Sequence, residues 1–229
     1  MDLSSPAEIL EDLFAYFLIA FNLILVLKGS SKAFRIFLVF LFLGQTAELA
    51  MDYFMDILDR VDLAWEVRYI YGFFDTVLLL WLATAYGNYS RPKRVALITA
   101  AFFGGIWLLF LLLHYLNFLE FNAAIMESSA SVVLSLALGF GVLSRVEKLE
   151  DEHPLLNPIN LLLISQLVYV FCTVVIFGIQ GTAIREEFYQ IIHGSIHALR
   201  DILILFAFIM EYRRLTRTKF QAEPTEFQE

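Results

Sequence analysis

The chain has 229 residues, of which 59% are hydrophobic and 16% aromatic, and its mean hydropathy is +0.70, whereas a soluble domain carries about 45–50% apolar residues. The formal net charge of −8 argues against nucleic acid as a partner. The single cysteine, Cys172, excludes an intramolecular disulfide and any cysteine-rich metal site.

Taken in order, the chain opens on MDLSSPAEILED, which is acidic where a cleavable signal needs a basic region, so the first apolar run is expected to persist in the mature protein. A helix crossing a hydrocarbon core of about 30 Å needs about 20 mostly apolar residues. Seven stretches qualify, near residues 10–28, 33–55, 66–87, 94–117, 121–144, 158–179 and 187–211. Turn-forming residues separate them: Gly29-Ser30-Ser31, Asp59-Arg60, Asn88 to Pro92, His153-Pro154 and Gly178 to Gly181. The expected fold is therefore an all-α polytopic membrane bundle of seven transmembrane helices over residues 1–217, followed by a polar tail over 218–229.

Lys and Arg mark the cytoplasmic side of such a bundle. Lys28, Lys32, Arg35, Arg91, Lys93, Arg94, Arg145, Lys148, Arg213, Arg214, Arg217 and Lys219 all fall on one side, 12 of the 16 basic residues. Arg60, Arg68 and Arg185 fall on the other, beside Asp56, Asp59, Asp62 and Glu66. This predicts the N-terminus outside, the C-terminus in the cytoplasm, and a plasma-membrane location.

Polar residues inside such helices cost free energy unless they find partners, so each is a candidate for function. Gln45, Glu48 and Asp52 recur every three or four residues in the second helix; Arg68, Tyr71 and Asp75 do so in the third. Glu127, Ser128 and Ser131 follow in the fifth helix, and Gln166, Tyr169 and Thr173 in the sixth. The seventh carries His193, His197, Arg200 and Asp201. Each spacing places its set on one helical face, and the carboxylates and imidazoles fall one to three turns below the outer surface. The candidate ligand-binding residues are Tyr71, Glu127, Gln166 and Tyr169. His193 and His197 stand at i and i+4, so both rings can reach one ion. Imidazole with carboxylate from Glu48, Asp52 or Asp75 suits zinc or iron. The same residues also make a structural hydrogen-bonded network or a proton-linked site. Arg200 and Asp201 read as residues that stabilise helix packing or pair across helices.

The third helix, Trp65 followed by Arg68-Tyr69-Ile70-Tyr71-Gly72-Phe73-Phe74-Asp75-Thr76-Val77-Leu78-Leu79-Leu80, resembles the third helix of the microbial rhodopsins. Leu25 to Gly29 is similar to the end of that family's first helix, and length, helix count and orientation agree. The resemblance implies a seven-helix fold around a central cavity. The family's retinal-binding lysine and its preceding aspartate correspond to His197 and His193, and no lysine precedes Lys219 in the seventh helix. Tyr71 stands for the counterion aspartate, Gly72 for a ring-stacking tryptophan, and Gln166 near another. No retinal is expected. A thinner resemblance to the ceramidase and adiponectin-receptor hydrolases rests on His193-x-x-x-His197 and Asp75; Glu48-x-x-x-Asp52 stands where that family has Ser-x-x-x-His.

Three expectations follow. The first is a non-retinal, rhodopsin-like sensor or receptor whose buried acidic and histidine site holds a metal ion or a small ligand. The second is a metal-dependent intramembrane hydrolase acting on lipid, and the third a proton or cation transporter. The expected partners are the lipid bilayer and, for a sensor, a second copy of the chain or a membrane signalling protein.

Overall fold

The computed structural model describes residues 6–86, 92–116, 123–146, 157–179 and 186–222. Among these the fold is all-α, without strands. Seven helices occur in chain order: α1 Pro6–Leu27, α2 Lys32–Asp52, α3 Val61–Tyr86, α4 Pro92–Tyr115, α5 Ala123–Val146, α6 Pro158–Ile179 and α7 Glu186–Ala222. Six agree with the expected stretches to within a few residues. The seventh continues past residue 211 through a basic segment to Ala222, because no glycine or proline interrupts it.

The local chemistry explains the boundaries. Helices α1, α4 and α6 each begin at a proline, whose missing N–H is no loss in the first turn. Asn157 caps α6, its Oδ1 accepting from Ile159 N at 3.0 Å and Asn160 N at 3.3 Å. After α1 the chain turns at Gly29, φ +88°, with Gly29 N donating to Val26 O and Ser30 N to Leu25 O, both at 3.0 Å. This is a left-handed helix stop that favours glycine. Helix α2 runs on into a π-helical turn, Tyr53–Ile57, and the chain reverses at Asp59, φ 50°. There Arg60 N donates to Phe54 O at 2.7 Å. Aspartate is among the few side-chain-bearing residues that enter this region readily.

Helix α3 touches α2, α4, α5 and α6; α1 packs on α2 and α7, and α6 packs on α5 and α7. The sequence α1–α2–α3–α5–α6–α7 thus closes into a ring of contacts, with α4 held on the outside of α3. Close approach of α3 and α5 depends on Gly141, where a Cβ would lie 3.0 Å from Ala83 O. At one end, the fully buried rings of Phe34, Phe37 and Phe208 join α2 to α7, with centroids 5.9 and 6.2 Å from Phe208, and Phe21 of α1 joins them at 5.8 Å. Each such ring pair contributes about 0.5–1.5 kcal/mol beyond its buried area.

The surface is strongly apolar. Phe42, Phe140 and Phe171 are 60%, 59% and 60% exposed, and Leu136, Ile202 and Phe206 also point outward. Conversely Asn22, Thr76, Asn160, Ser165, Gln166 and Asp201 are buried. Among the described residues one helical stretch, Lys32–Ile57, is long and apolar enough by itself to cross a membrane; Asp12–Leu27, Gly105–Tyr115, Ser131–Leu143 and Pro158–Thr173 are shorter apolar helical stretches.

Candidate functional site

Polar side chains from α3, α6 and α7 meet inside the ring. On α3, Tyr71 Oη donates to Asp75 Oδ1 at 3.2 Å, one helical turn away. On α7, Arg200 Nε donates to Asp201 Oδ1 at 2.8 Å, and these side chains are only 18% and 9% exposed. Tyr169 of α6 links the groups. The Arg200 guanidinium lies 4.7 Å from its ring centre, and the His197 ring meets it edge-on at 4.8 Å with an interplanar angle of 75°. Both Tyr71 and Tyr169 lie within electrostatic reach of Asp75 and of Arg200.

Helix spacing makes this possible. His197 and Arg200 are three residues apart and share a face of α7, as Tyr71 and Asp75 share one of α3. Glycine sets the distances to neighbouring helices. A Cβ on Gly44 of α2 would sit 3.1 Å from Tyr71 Oη, and one on Gly72 would sit 3.1 Å from the Trp107 ring of α4. Trp107 in turn donates its Nε1–H to Tyr69 O at 3.2 Å. The space beside Gly72, which stands where the resemblance has a ring-stacking tryptophan, is taken by this indole.

Two buried amides border the same level. Gln166 is one turn from Tyr169 on α6 and fully buried; its Nε2 makes a long 3.4 Å contact to Ser165 Oγ, and its Oε1 has no hydrogen-bond partner among the described residues. Gln45 is next to Gly44 on α2 and 7% exposed, and its Nε2 likewise has none among the described residues. The hydroxyls of Thr76 and Thr173 are satisfied within their own helices by Gly72 O and Tyr169 O, both at 2.8 Å.

The candidates from the sequence therefore divide. Tyr71, Asp75, Tyr169 and His197 come together, with Gln166 adjoining. Glu48 and Asp52 are exposed on α2, although each has interactions of its own. The side chains of His193 and Glu127 lie outside the described residues. Among the described residues no group of three or more His, Cys, Asp and Glu side chains is placed to hold a metal. What the sequence reading undervalued is Arg200 with Asp201. The two are expected to stabilise packing or to pair across helices, and Arg200 does reach across, to the Tyr169 ring of α6 beside His197. The available signal was its three-residue spacing from His197.

A second polar cluster lies where α5 meets α6. Arg145 Nε donates to Asn160 Oδ1 at 2.5 Å, and its Nη2 reaches the capping Asn157 Oδ1 at 3.5 Å. It ties the end of one helix to the start of the next. At the end of α7, Glu211, which is buried, accepts two bonds from Arg214 at 2.7 Å, while Lys28 lies 4.2 Å over the Tyr212 ring. The first pair lies within α7, and the second ties the chain just after α1 to α7.

No protein-family model, no curated protein and no solved structure matches this chain.

Proposed function

We propose that the chain is an integral membrane protein whose seven helices all cross the bilayer, N-terminus outside and C-terminus in the cytoplasm, and that it acts as a sensor or receptor. Its ligand is a small molecule held by Tyr71, Asp75, Tyr169, His197 and Arg200. One observation carries the reading: large apolar side chains cover the outside while ionisable and amide groups from α3, α6 and α7 gather inside. Water favours the reverse arrangement. In a bilayer the apolar shell faces lipid, and interior polar groups mark a ligand or ion site.

A small organic ligand is favoured over a metal ion. Zinc takes three or four N, S or O donors, and the described residues offer Asp75 and His197 beside the guanidinium of Arg200, which opposes a dication electrostatically. Elemental analysis of protein purified without chelators separates the alternatives. Less than a tenth of a zinc or iron atom per chain is expected; stoichiometric metal, lost on His197→Ala, overturns the small-molecule reading and restores the hydrolase alternative. Lateral partners fit a sensor, and the exposed apolar faces leave room for a second copy or a membrane signalling protein.

A further inference from the structure

We infer that the ligand of this site is a small zwitterion, a carboxylate and an ammonium on one short skeleton, of which free amino acids are the simplest class. The inference rests on the small-ligand reading above and names its chemistry. It begins with hydrogen-bonding groups left over inside the bundle. Arg200 uses Nε on Asp201, and its two Nη groups have no hydrogen-bond partner among the described residues. Gln45 contributes an unmet donor at Nε2, and Gln166 an unmet acceptor at Oε1. Buried amides are normally satisfied by protein, water or ligand, so each points to something that completes it.

These groups share one level of the bundle. Gly44, adjacent to Gln45, faces Tyr71 Oη at a contact distance. Tyr71 feels the charge of Arg200, Arg200 covers the ring of Tyr169, and Gln166 is one turn from Tyr169. The ring contacts of Phe37 and Phe208 set the register of α2 against α7. Counting about 1.5 Å per residue from that contact along both helices brings Gln45 and Asp201 to the same height.

Charge then selects the ligand. Both signs of charge meet here: Arg200 is bound to Asp201, and Asp75 lies within electrostatic reach of the same two tyrosines as Arg200, so a simple anion meets carboxylates and a simple cation meets a guanidinium. A zwitterion satisfies both. Its carboxylate takes the Arg200 Nη donors and Gln45 Nε2, a planar match that guanidinium makes well. Its ammonium, a donor only, faces Asp75 and Gln166 Oε1.

The test uses the full chain in detergent micelles and follows its unfolding temperature. The probes are L-alanine, β-alanine and γ-aminobutyrate, which separate the two charges progressively, with acetate and methylammonium as single-charge controls. At least one zwitterion is expected to raise the unfolding temperature by several degrees, because a ligand that binds only the folded state stabilises it; the controls do not. Gln45→Leu and Gln166→Leu are expected to leave the unliganded unfolding temperature unchanged or higher, since each removes an unmet amide, while weakening zwitterion binding at least tenfold. Should the leucine variants not fold, Gln45→Asn keeps the amide but withdraws it by one methylene, and it is expected to weaken binding too. Zwitterion binding unchanged in the variants that fold overturns the inference. So does stabilisation by acetate or methylammonium alone, an outcome that leaves the small-ligand site in place. No stabilisation by any probe overturns both the zwitterion and the small-ligand reading.

Discussion

Arg200 and Tyr169 form a cation–π pair between α7 and α6, with the guanidinium 4.7 Å from the ring centre and its Nε bound to Asp201 at 2.8 Å. One buried cation is thus shared between an aromatic face on a neighbouring helix and a carboxylate on its own. Taking an ion pair out of water is costly, and mutual attraction only offsets that cost while both partners remain.

Arg200→Met alone is expected to lower stability by about 3–5 kcal/mol, the range for removing one partner of a buried pair. Arg200→Met with Asp201→Leu should recover most of the loss, because no charge is then left unpaired. Tyr169→Leu should cost a further contribution of about 0.5–2 kcal/mol from the lost cation–π contact. Reversible unfolding in mixed micelles measures all three. A double variant as unstable as the single one contradicts the account.

Gly141 and Gly139 make a matched pair two residues apart on α5. A Cβ on Gly141 meets the backbone carbonyl of Ala83 at 3.0 Å, whereas one on Gly139 meets nothing within 4 Å. Gly141→Ala is therefore expected to push α5 from α3 and destabilise by about 1–3 kcal/mol. Gly139→Ala should instead stabilise by about 0.4–1 kcal/mol through the unfolded chain. Equal effects at the two positions would count against the α3–α5 packing.

The Arg60–Asp62 pair provides a pH signature outside the spanning segments. Arg60 donates to both carboxylate oxygens of Asp62, at 2.8 and 2.6 Å, and holds that carboxyl down at about 2. The folded value lies below the unfolded value of about 3.9, so the stabilisation is present above about pH 4 and is lost as pH falls through about 2. Both side chains are exposed, so salt screens the pair. The difference in unfolding temperature between wild type and Asp62→Asn should shrink from pH 6 to pH 2, and shrink again in about 1 M salt. A difference that grows on acidification reverses the sign and rules out this pair as its origin.

Topology has a direct assay. In intact cells a protease tag at Met1 should be cut and a tag after Glu229 should be protected. Cleavage of the C-terminal tag overturns the proposed orientation.

Retinal offers a further check on α7. With no lysine in this helix before Lys219, all-trans retinal added to purified protein should give no red-shifted band. A visible absorber that survives washing and is bleached by hydroxylamine would mean that an amine elsewhere in the chain reaches the bundle interior.

The number, order and approximate ends of the helices were legible from the sequence, because long apolar stretches, prolines at helix starts and glycine or aspartate at turns act through neighbouring residues alone. The faces of α3, α6 and α7 were legible for the same reason: a period of 3.6 places Tyr71 with Asp75, and His197 with Arg200, whatever surrounds them. On α2 that logic reached its limit. Gln45, Glu48 and Asp52 share a sequence period, but Gln45 is buried and the two carboxylates are exposed, since burial depends on which neighbour covers each part of the face.

Only the tertiary structure decided the rest. That Trp107 of α4 occupies the space beside Gly72, that α3 and not α4 carries the main contacts to α5, and that Arg200 selects the Tyr169 ring all depend on side chains distant in sequence. A residue's own chemistry states what partner it needs, a cation for Asp201 or a small neighbour for Trp107. Which residue supplies that partner is set by packing, where short-range contact energies between helices choose among several partners of equal chemistry.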